Sequence, residues 1–231
     1  SAQRIGVVRV GRGLPRRLKG RCFMGVEDQV RALAERAKNA SAVLGAASAR
    51  ERDDALLAMA RALRAHADGI VEANARDMGA AREAGTSDAL LDRLMLDEAR
   101  VGAMADALEE LVALPDPLGK IQASSTLYNG IELTRVSVPL GVVAVVYEAR
   151  PNVTADAAGI CLKSGNAVVL RGGSLAARSN EAVARVLAEA VASVGLPADA
   201  VCAITSTARQ PMPLCSFTAS STCSSRVEGR V

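Results

Sequence analysis

The chain has 231 residues, half of them hydrophobic (50%), which is enough for one large or two small domains with a sizeable core. Its net charge of +3 comes from residues 1–23, where Arg4, Arg9, Arg12, Arg16, Arg17, Lys19 and Arg21 stand without an acid; removing these seven leaves about −4 for the rest, so the body is mildly acidic and does not call for nucleic acid. No apolar run reaches the roughly 18 residues of a membrane span, and five scattered cysteines, an odd number, argue against a disulfide framework and for a reducing cytoplasm.

Residues 1–23 read as a basic, disordered extension rather than a nucleic-acid arm, because they lack the aromatic side chains that stack bases. From there to Leu114 the texture is helical. Val30, Leu33, Ala34, Ala37, Val43 and Leu44 recur at helical spacing over residues 26–47. Ser48 followed three residues later by Glu51 predicts a capping box at the start of a second helix, which runs to about Ala67. Further helices are predicted from Asp68, over Ser87–Leu94, and over Asp97–Leu114, where Pro115-Asp-Pro117 stops the run.

Beyond that point the pattern changes. Asn129-Gly130 is a turn between two extended runs, about 121–127 and 131–138. Gly141–Tyr147 is a buried valine-rich strand. A helix capped by Asn152 or Thr154 follows to about Ser164, then a strand over Ala167–Leu170, a helix over Asn180–Val194, and a strand over Ala200–Thr205. The β-α-β-α-β order predicts an α/β fold: a helical N-terminal part leading into a doubly wound parallel sheet with right-handed crossovers.

Ligands of such sheets sit outside the carboxyl ends of the strands. Two loops leave those ends here. In Arg171-Gly172-Gly173-Ser174, paired glycines let backbone amides approach an anion and Arg171 adds a cation, which suits a nucleotide; a plain strand-to-helix turn explains the same residues equally well. In Glu148–Thr154, Arg150 suits a phosphate or carboxylate. Asn152 is an amide donor for an oxyanion, or, as physics alone prefers, a helix N-cap. Lys163 and Asn166 read as surface and turn residues. Cys161 and Cys202 read as buried structural cysteines, and His66 as an ordinary helical histidine.

The string Val138-Pro-Leu-Gly-Val-Val-Ala-Val-Val-Tyr-Glu-Ala-Arg-Pro-Asn-Val-Thr154 resembles the signature of gamma-glutamyl phosphate reductases (glutamate-5-semialdehyde dehydrogenases), and so does Leu162-Lys-Ser-Gly-Asn-Ala-Val-Val-Leu-Arg-Gly-Gly-Ser174. Glu72-Ala-Asn-Ala-Arg-Asp77, Asp92-Arg-Leu94 and Leu114-Pro-Asp-Pro117 support the resemblance, which runs from about Met24 to Thr205. It implies an aldehyde-dehydrogenase-like cofactor domain, here incomplete. It also implies NADPH-dependent reduction of L-glutamyl 5-phosphate to L-glutamate 5-semialdehyde, the second step of proline biosynthesis, in a cytoplasmic homo-oligomer without nucleic-acid or membrane partners. By the same resemblance Arg171 stands near the adenosine ribose, Gly172, Gly173 and Ser174 line the nucleotide site, Asn152 helps hold the oxyanion, Arg150 meets the substrate, and the Asn129-Gly130 hairpin serves oligomerisation.

The mechanism of that family needs a cysteine thiolate, which attacks the acyl phosphate before hydride reduces the thioester. No cysteine of this chain lies in the family's nucleophile motif, so the expectation is a chain inactive by itself. Residues 206–231 are rich in Ser, Thr, Cys and Arg and lack helical or strand periodicity. One permitted set of codons for Thr222–Val231, read one base earlier, encodes Asp-Val-Leu-Ile-Pro-Arg-Gly-Gly-Ala-Gly, which is similar to the family's next strand and glycine loop. The expectation is a frameshifted, disordered tail and a truncated sheet with an unpaired edge beyond Ala200–Thr205.

Overall fold

A computed structural model of the chain describes residues 26–204. The sequence readings of residues 1–23 and of 206–231, including Cys22, Cys215 and Cys223, lie outside the described residues. Helices α1 (Val26–Ala46), α2 (Ala49–Ala65), α3 (Ala67–Glu83), α4 (Asp88–Leu94) and α5 (Glu98–Ala113) come first. An antiparallel hairpin follows, β1 (Ile121–Thr126) with β2 (Glu132–Val136). Then β3 (Val142–Val146), α6 (Asn152–Lys163), β4 (Ala167–Arg171), α7 (Ala177–Ser193) and β5 (Val201–Ala203) form the alternating unit.

The predicted capping box is present. The Ser48 hydroxyl accepts from the Glu51 N–H at 3.2 Å, and Glu51 Oε2 accepts from the Ser48 N–H at 2.7 Å. Asp97 likewise caps α5 by accepting from the Arg100 N–H at 2.7 Å.

The sheet order is β3-β4-β5, all parallel, with Val142–Val146 opposite Ala167–Arg171 and Val168–Leu170 opposite Val201–Ala203. Two successive right-handed crossovers in one direction put α6 and α7 on the same face, where they pack on each other. Ala167–Leu170 of β4 is buried at every residue, so both faces of that strand are covered; α1, which lies along β3, β4 and β5, covers the other. Helices α2 and α5 stack over α6 and α7 and complete the core around Leu56, Met59, Leu63, Leu108, Leu162 and Leu187. Leucine, valine and alanine fill it, as the scarcity of aromatic residues requires.

Close approach of α5 to α6 depends on Gly159: a Cβ there would lie 2.4 Å from Leu108 Cδ2 and 2.8 Å from Leu111 Cδ1. The hairpin stands apart from this core. All six residues of β1, Ile121 among them, are exposed, as is Val136 of β2, and at the turn Tyr128 is fully exposed.

The surface reading of Lys163 is corrected. Its side chain is buried and donates to Asp53 Oδ1 at 2.6 Å and to the Val112 carbonyl at 3.2 Å, tying the end of α6 to α2 and α5. An amphipathic lysine at a helix C-terminus looks like a solvated residue in sequence; here its apolar stem is covered and its ammonium is paired. Asn166 is a turn residue but also buried: Oδ1 accepts from the Gly141 N–H at 2.9 Å, holding the entry of β3 against the entry of β4.

Candidate active site at the strand ends

The two loops named from the sequence meet. The Gly173 N–H donates to the Glu148 carbonyl at 3.3 Å, and a Cβ on Gly173 would lie 3.3 Å from Glu148 Cα. A Cβ on Gly172 would lie 1.9 Å from Asn180 Nδ2. Neither glycine has a positive φ, so close packing, not a left-handed turn, demands them. A single 3₁₀ turn (Ser174–Ala176) precedes α7, which therefore begins three residues before the predicted Asn180.

A chain of side chains runs beneath these loops. Tyr147 Oη and Thr154 Oγ1 are 2.6 Å apart, and Thr154 Oγ1 donates to Asn180 Oδ1 at 3.2 Å, so the Tyr147 hydroxyl donates to Thr154. Burial pushes the Tyr147 phenol up to about 12, which keeps it a neutral donor. The chain ends at Asn180 Nδ2, which is buried and without a hydrogen-bond partner. Thr154 is thus a buried tether, not a helix cap. Asn152 does not cap either: it is the first residue of α6, exposed, and no side chain caps that helix. Arg171, at the carboxyl end of β4, is half-buried and has no side-chain partner among the described residues; Ser174 is exposed.

Arg150 and Asn152 open onto a cleft of about 460 Å³ between α4, α5 and the start of α6. Arg100, Ala103, Met104 and Ala107 form one wall, at the spacing of one helix face. Arg93, Met95 and Leu96 form another, and Asp156, one turn after Asn152, the third. Arg171, Gly172, Gly173 and Ser174 do not line this cleft. The structure therefore separates the six candidate residues into a polar pair on the cleft and a cation-bearing loop on the adjacent strand end.

Residues 18–213 match the profile of the aldehyde dehydrogenase family. This chain belongs to the aldehyde dehydrogenase family. Among curated relatives it is 50% identical over 191 residues to a gamma-glutamyl phosphate reductase of Moorella thermoacetica, covering 83% of this chain and 46% of that protein. It is 52% identical over 176 residues to the same-named protein of Thermobifida fusca, covering 76% and 42%. The crystal structure of a gamma-glutamyl phosphate reductase from Thermotoga maritima superposes with a TM-score of 0.76 at 37% identity, over 79% of this chain and 44% of that one. The chain spans about half the length, or slightly less, of the relatives it matches.

Cys161 and Cys202 are both buried, and burial pushes each thiol up to about 11. Neither offers a thiolate near neutral pH, which agrees with the structural reading of both. His66, at the junction of α2 and α3, is exposed and away from the cleft and the loops.

Sequence reasoning missed Asn74 and Asp77 as organisers of this site. Both are buried on α3. Asn74 Nδ2 donates to the Leu94 carbonyl at 2.8 Å and its Oδ1 accepts from the Leu96 N–H at 2.8 Å, which shapes the wall of the cleft. Asp77 Oδ2 accepts from the Ser179 N–H at 2.8 Å and the Ser179 hydroxyl at 2.7 Å. The signal was present as polar residues three apart on the inner face of a helix, within a string that the family resemblance already marked.

Proposed function

We propose that this chain forms the cofactor- and substrate-binding half of an NADPH-dependent gamma-glutamyl phosphate reductase, the N-terminal helices, hairpin and partial cofactor domain spanning residues 24–205. The reaction consumes L-glutamyl 5-phosphate, NADPH and a proton and yields L-glutamate 5-semialdehyde, NADP⁺ and phosphate, in the cytoplasm and as part of proline biosynthesis. The observation that carries this reading is the strand-end arrangement: the cation Arg171, without a side-chain partner among the described residues, beside a glycine pair and the buried amide Asn180 Nδ2, likewise without a partner among them.

Those groups fit a nicotinamide dinucleotide. Arg171 would hold the adenosine ribose and the 2′-phosphate that distinguishes NADPH from NADH, Ser174 would add a hydroxyl, and the backbone of Gly172 and Gly173, packed against Asn180 and Glu148, would line the site. Bound there, the cofactor supplies the hydride. On this chain's side, Arg150 would hold an anionic group of the substrate, phosphate or carboxylate, in forked geometry, and the Asn152 amide would donate to the developing oxyanion. Among the described residues neither Cys161 nor Cys202 offers the sulfur nucleophile, and in this reading the 231-residue chain binds nucleotide without turnover. The hairpin of β1 and β2, with its exposed apolar residues, serves homo-oligomerisation.

Titration of the chain with NADPH and NADH tests this. NADPH should bind in preference to NADH, and Arg171→Ala should weaken NADPH by on the order of tenfold or more while moving NADH little. Equal loss for both nucleotides would remove the 2′-phosphate role; no nucleotide binding by the unsubstituted chain would overturn the reading. Oxidation of NADPH with glutamyl 5-phosphate by this chain alone would overturn the inactivity.

A further inference from the structure

The cleft between α4, α5 and α6 carries charges that the fold itself does not satisfy. Of its three arginines, Arg100 is consumed locally: it donates to the Asp92 carbonyl at 2.6 Å, the Met95 carbonyl at 2.9 Å and Asp92 Oδ1 at 2.9 Å. Arg93 and Arg150 have no partner among the described residues. Asp156 shares the cleft, is half-buried, and is likewise without a hydrogen bond or ion pair. Burial raises its carboxyl, as expected for a carboxylate whose lost hydration no neighbour replaces. Two unpaired cations and an unpaired anion, held apart on one concave surface, form the complement of a ligand that bears both signs at close range. Between them the wall is apolar, Met95, Leu96 and Met104, as a short methylene chain requires.

We infer that this cleft recognises the α-amino-acid end of the substrate, with Arg93 and Arg150 receiving an α-carboxylate and Asp156 an α-ammonium. This rests on the proposed reaction only for the identity of the far, reacting end, which Asn152, also lining the cleft, would meet. The built-in discrimination is against acyl compounds that lack a free amino group: such a ligand would cover the half-buried Asp156 without pairing it, and desolvating a charge without giving it a partner is the costly event in recognition. Arg93 and Asp156 are thereby specificity-determining residues.

The test needs no nucleotide. Binding of L-glutamate, N-acetyl-L-glutamate and glutarate to the 231-residue chain is followed by NMR titration. L-Glutamate should bind on the order of tenfold more tightly than either of the others, which lack the ammonium. Asp156→Asn, isosteric and free of the desolvated charge, should bring L-glutamate and N-acetyl-L-glutamate to within about twofold of each other. Arg93→Ala should weaken all three ligands. Equal binding of the three ligands, a preference that survives Asp156→Asn, or no binding of L-glutamate would each overturn the inference. If Asp156→Asn fails to fold by circular dichroism, the ladder on the unsubstituted chain decides alone. The nucleotide titration separates the two proposals: discrimination for the ammonium without NADPH binding sinks the reductase reading and keeps this one, and NADPH binding without discrimination does the reverse.

Discussion

Asp77, on α3, caps a helix one hundred residues away: its carboxylate accepts from the N–H of Ser179 at 2.8 Å and more weakly from that of Arg178 at 3.4 Å, in the first turn of α7. The Ser179 hydroxyl donates to the same carboxylate and accepts from Asn74 at 3.1 Å. The first turn of a helix leaves N–H groups orphaned and carries the positive end of the macrodipole. No residue at the start of α7 supplies a side-chain cap, and a distant helix does so instead.

Asp77→Ala removes this cap and strands buried donors. It should lower stability by about 2–4 kcal/mol, with Asp77→Asn costing less because an amide oxygen still accepts. Thermal and urea unfolding followed by circular dichroism measure both. Because α7 carries the glycine loop on its N-terminal side, NADPH affinity should fall in step with the loss of the cap.

Gly172 and Asn180 form a coupled pair. Gly172→Ala places a methyl group 1.9 Å from Asn180 Nδ2 and should destabilise by about 1–3 kcal/mol, since the amide is buried and fixed by Thr154. In the double variant with Asn180→Ala the clash is gone, so the two losses should sum to less than their parts. A double-mutant cycle of unfolding free energies reads the difference, and strict additivity would show that the contact is not what demands the glycine.

Lys163 and Asp53 are an ion pair at 2.6 Å, the lysine buried and the aspartate about a quarter exposed. Lys163→Ala leaves the aspartate facing a void and should cost about 2–4 kcal/mol. Lys163→Met, which keeps the stem, should cost less, most of the remainder reflecting the unpaired carboxylate. Restoring that balance with Asp53→Asn in the Lys163→Met background should recover part of the loss in equilibrium unfolding.

The buried thiols set an alkaline limit. Burial pushes the Cys161 thiol up to about 11 in the folded chain, from an ordinary 9.0. A raised pKa stabilises the folded state fully below pH 9, and that contribution is lost as the pH rises toward 11, because the unfolded chain ionises first. Stability should therefore decline across pH 9–11, and Cys161→Ser should flatten that decline. Peptide-resolved alkylation at pH 8 should leave Cys161 and Cys202 unmodified until denaturant is added.

The local signals of the chain were strong where neighbours in sequence decide structure. The capping box of Ser48 and Glu51, the Asn129-Gly130 turn, the valine run of β3 and the β-α-β-α-β order are all set by contacts within a few residues, and each stands where the pattern puts it. Burial of Cys161 and Cys202 follows from placing apolar periods on a sheet and its helices. The family resemblance, resting on two uninterrupted strings, gave the same α/β architecture that the superposition displays.

Tertiary structure decided the rest, because long-range pairs carry no local period. That Lys163 is an interior cation depends on Asp53, 110 residues earlier. Asn152 and Thr154 were interchangeable caps in sequence; packing of Tyr147 and Asn180 made Thr154 a buried tether and left Asn152 open to the cleft. Arg93, Arg100 and Arg150 are alike on paper, and only the approach of α4 to α5 shows that Arg100 is already spent on Asp92 while the other two are not. Asp156 is one more polar residue on α6 until α5, drawn close at Gly159, makes it the unpaired anion of a concave surface.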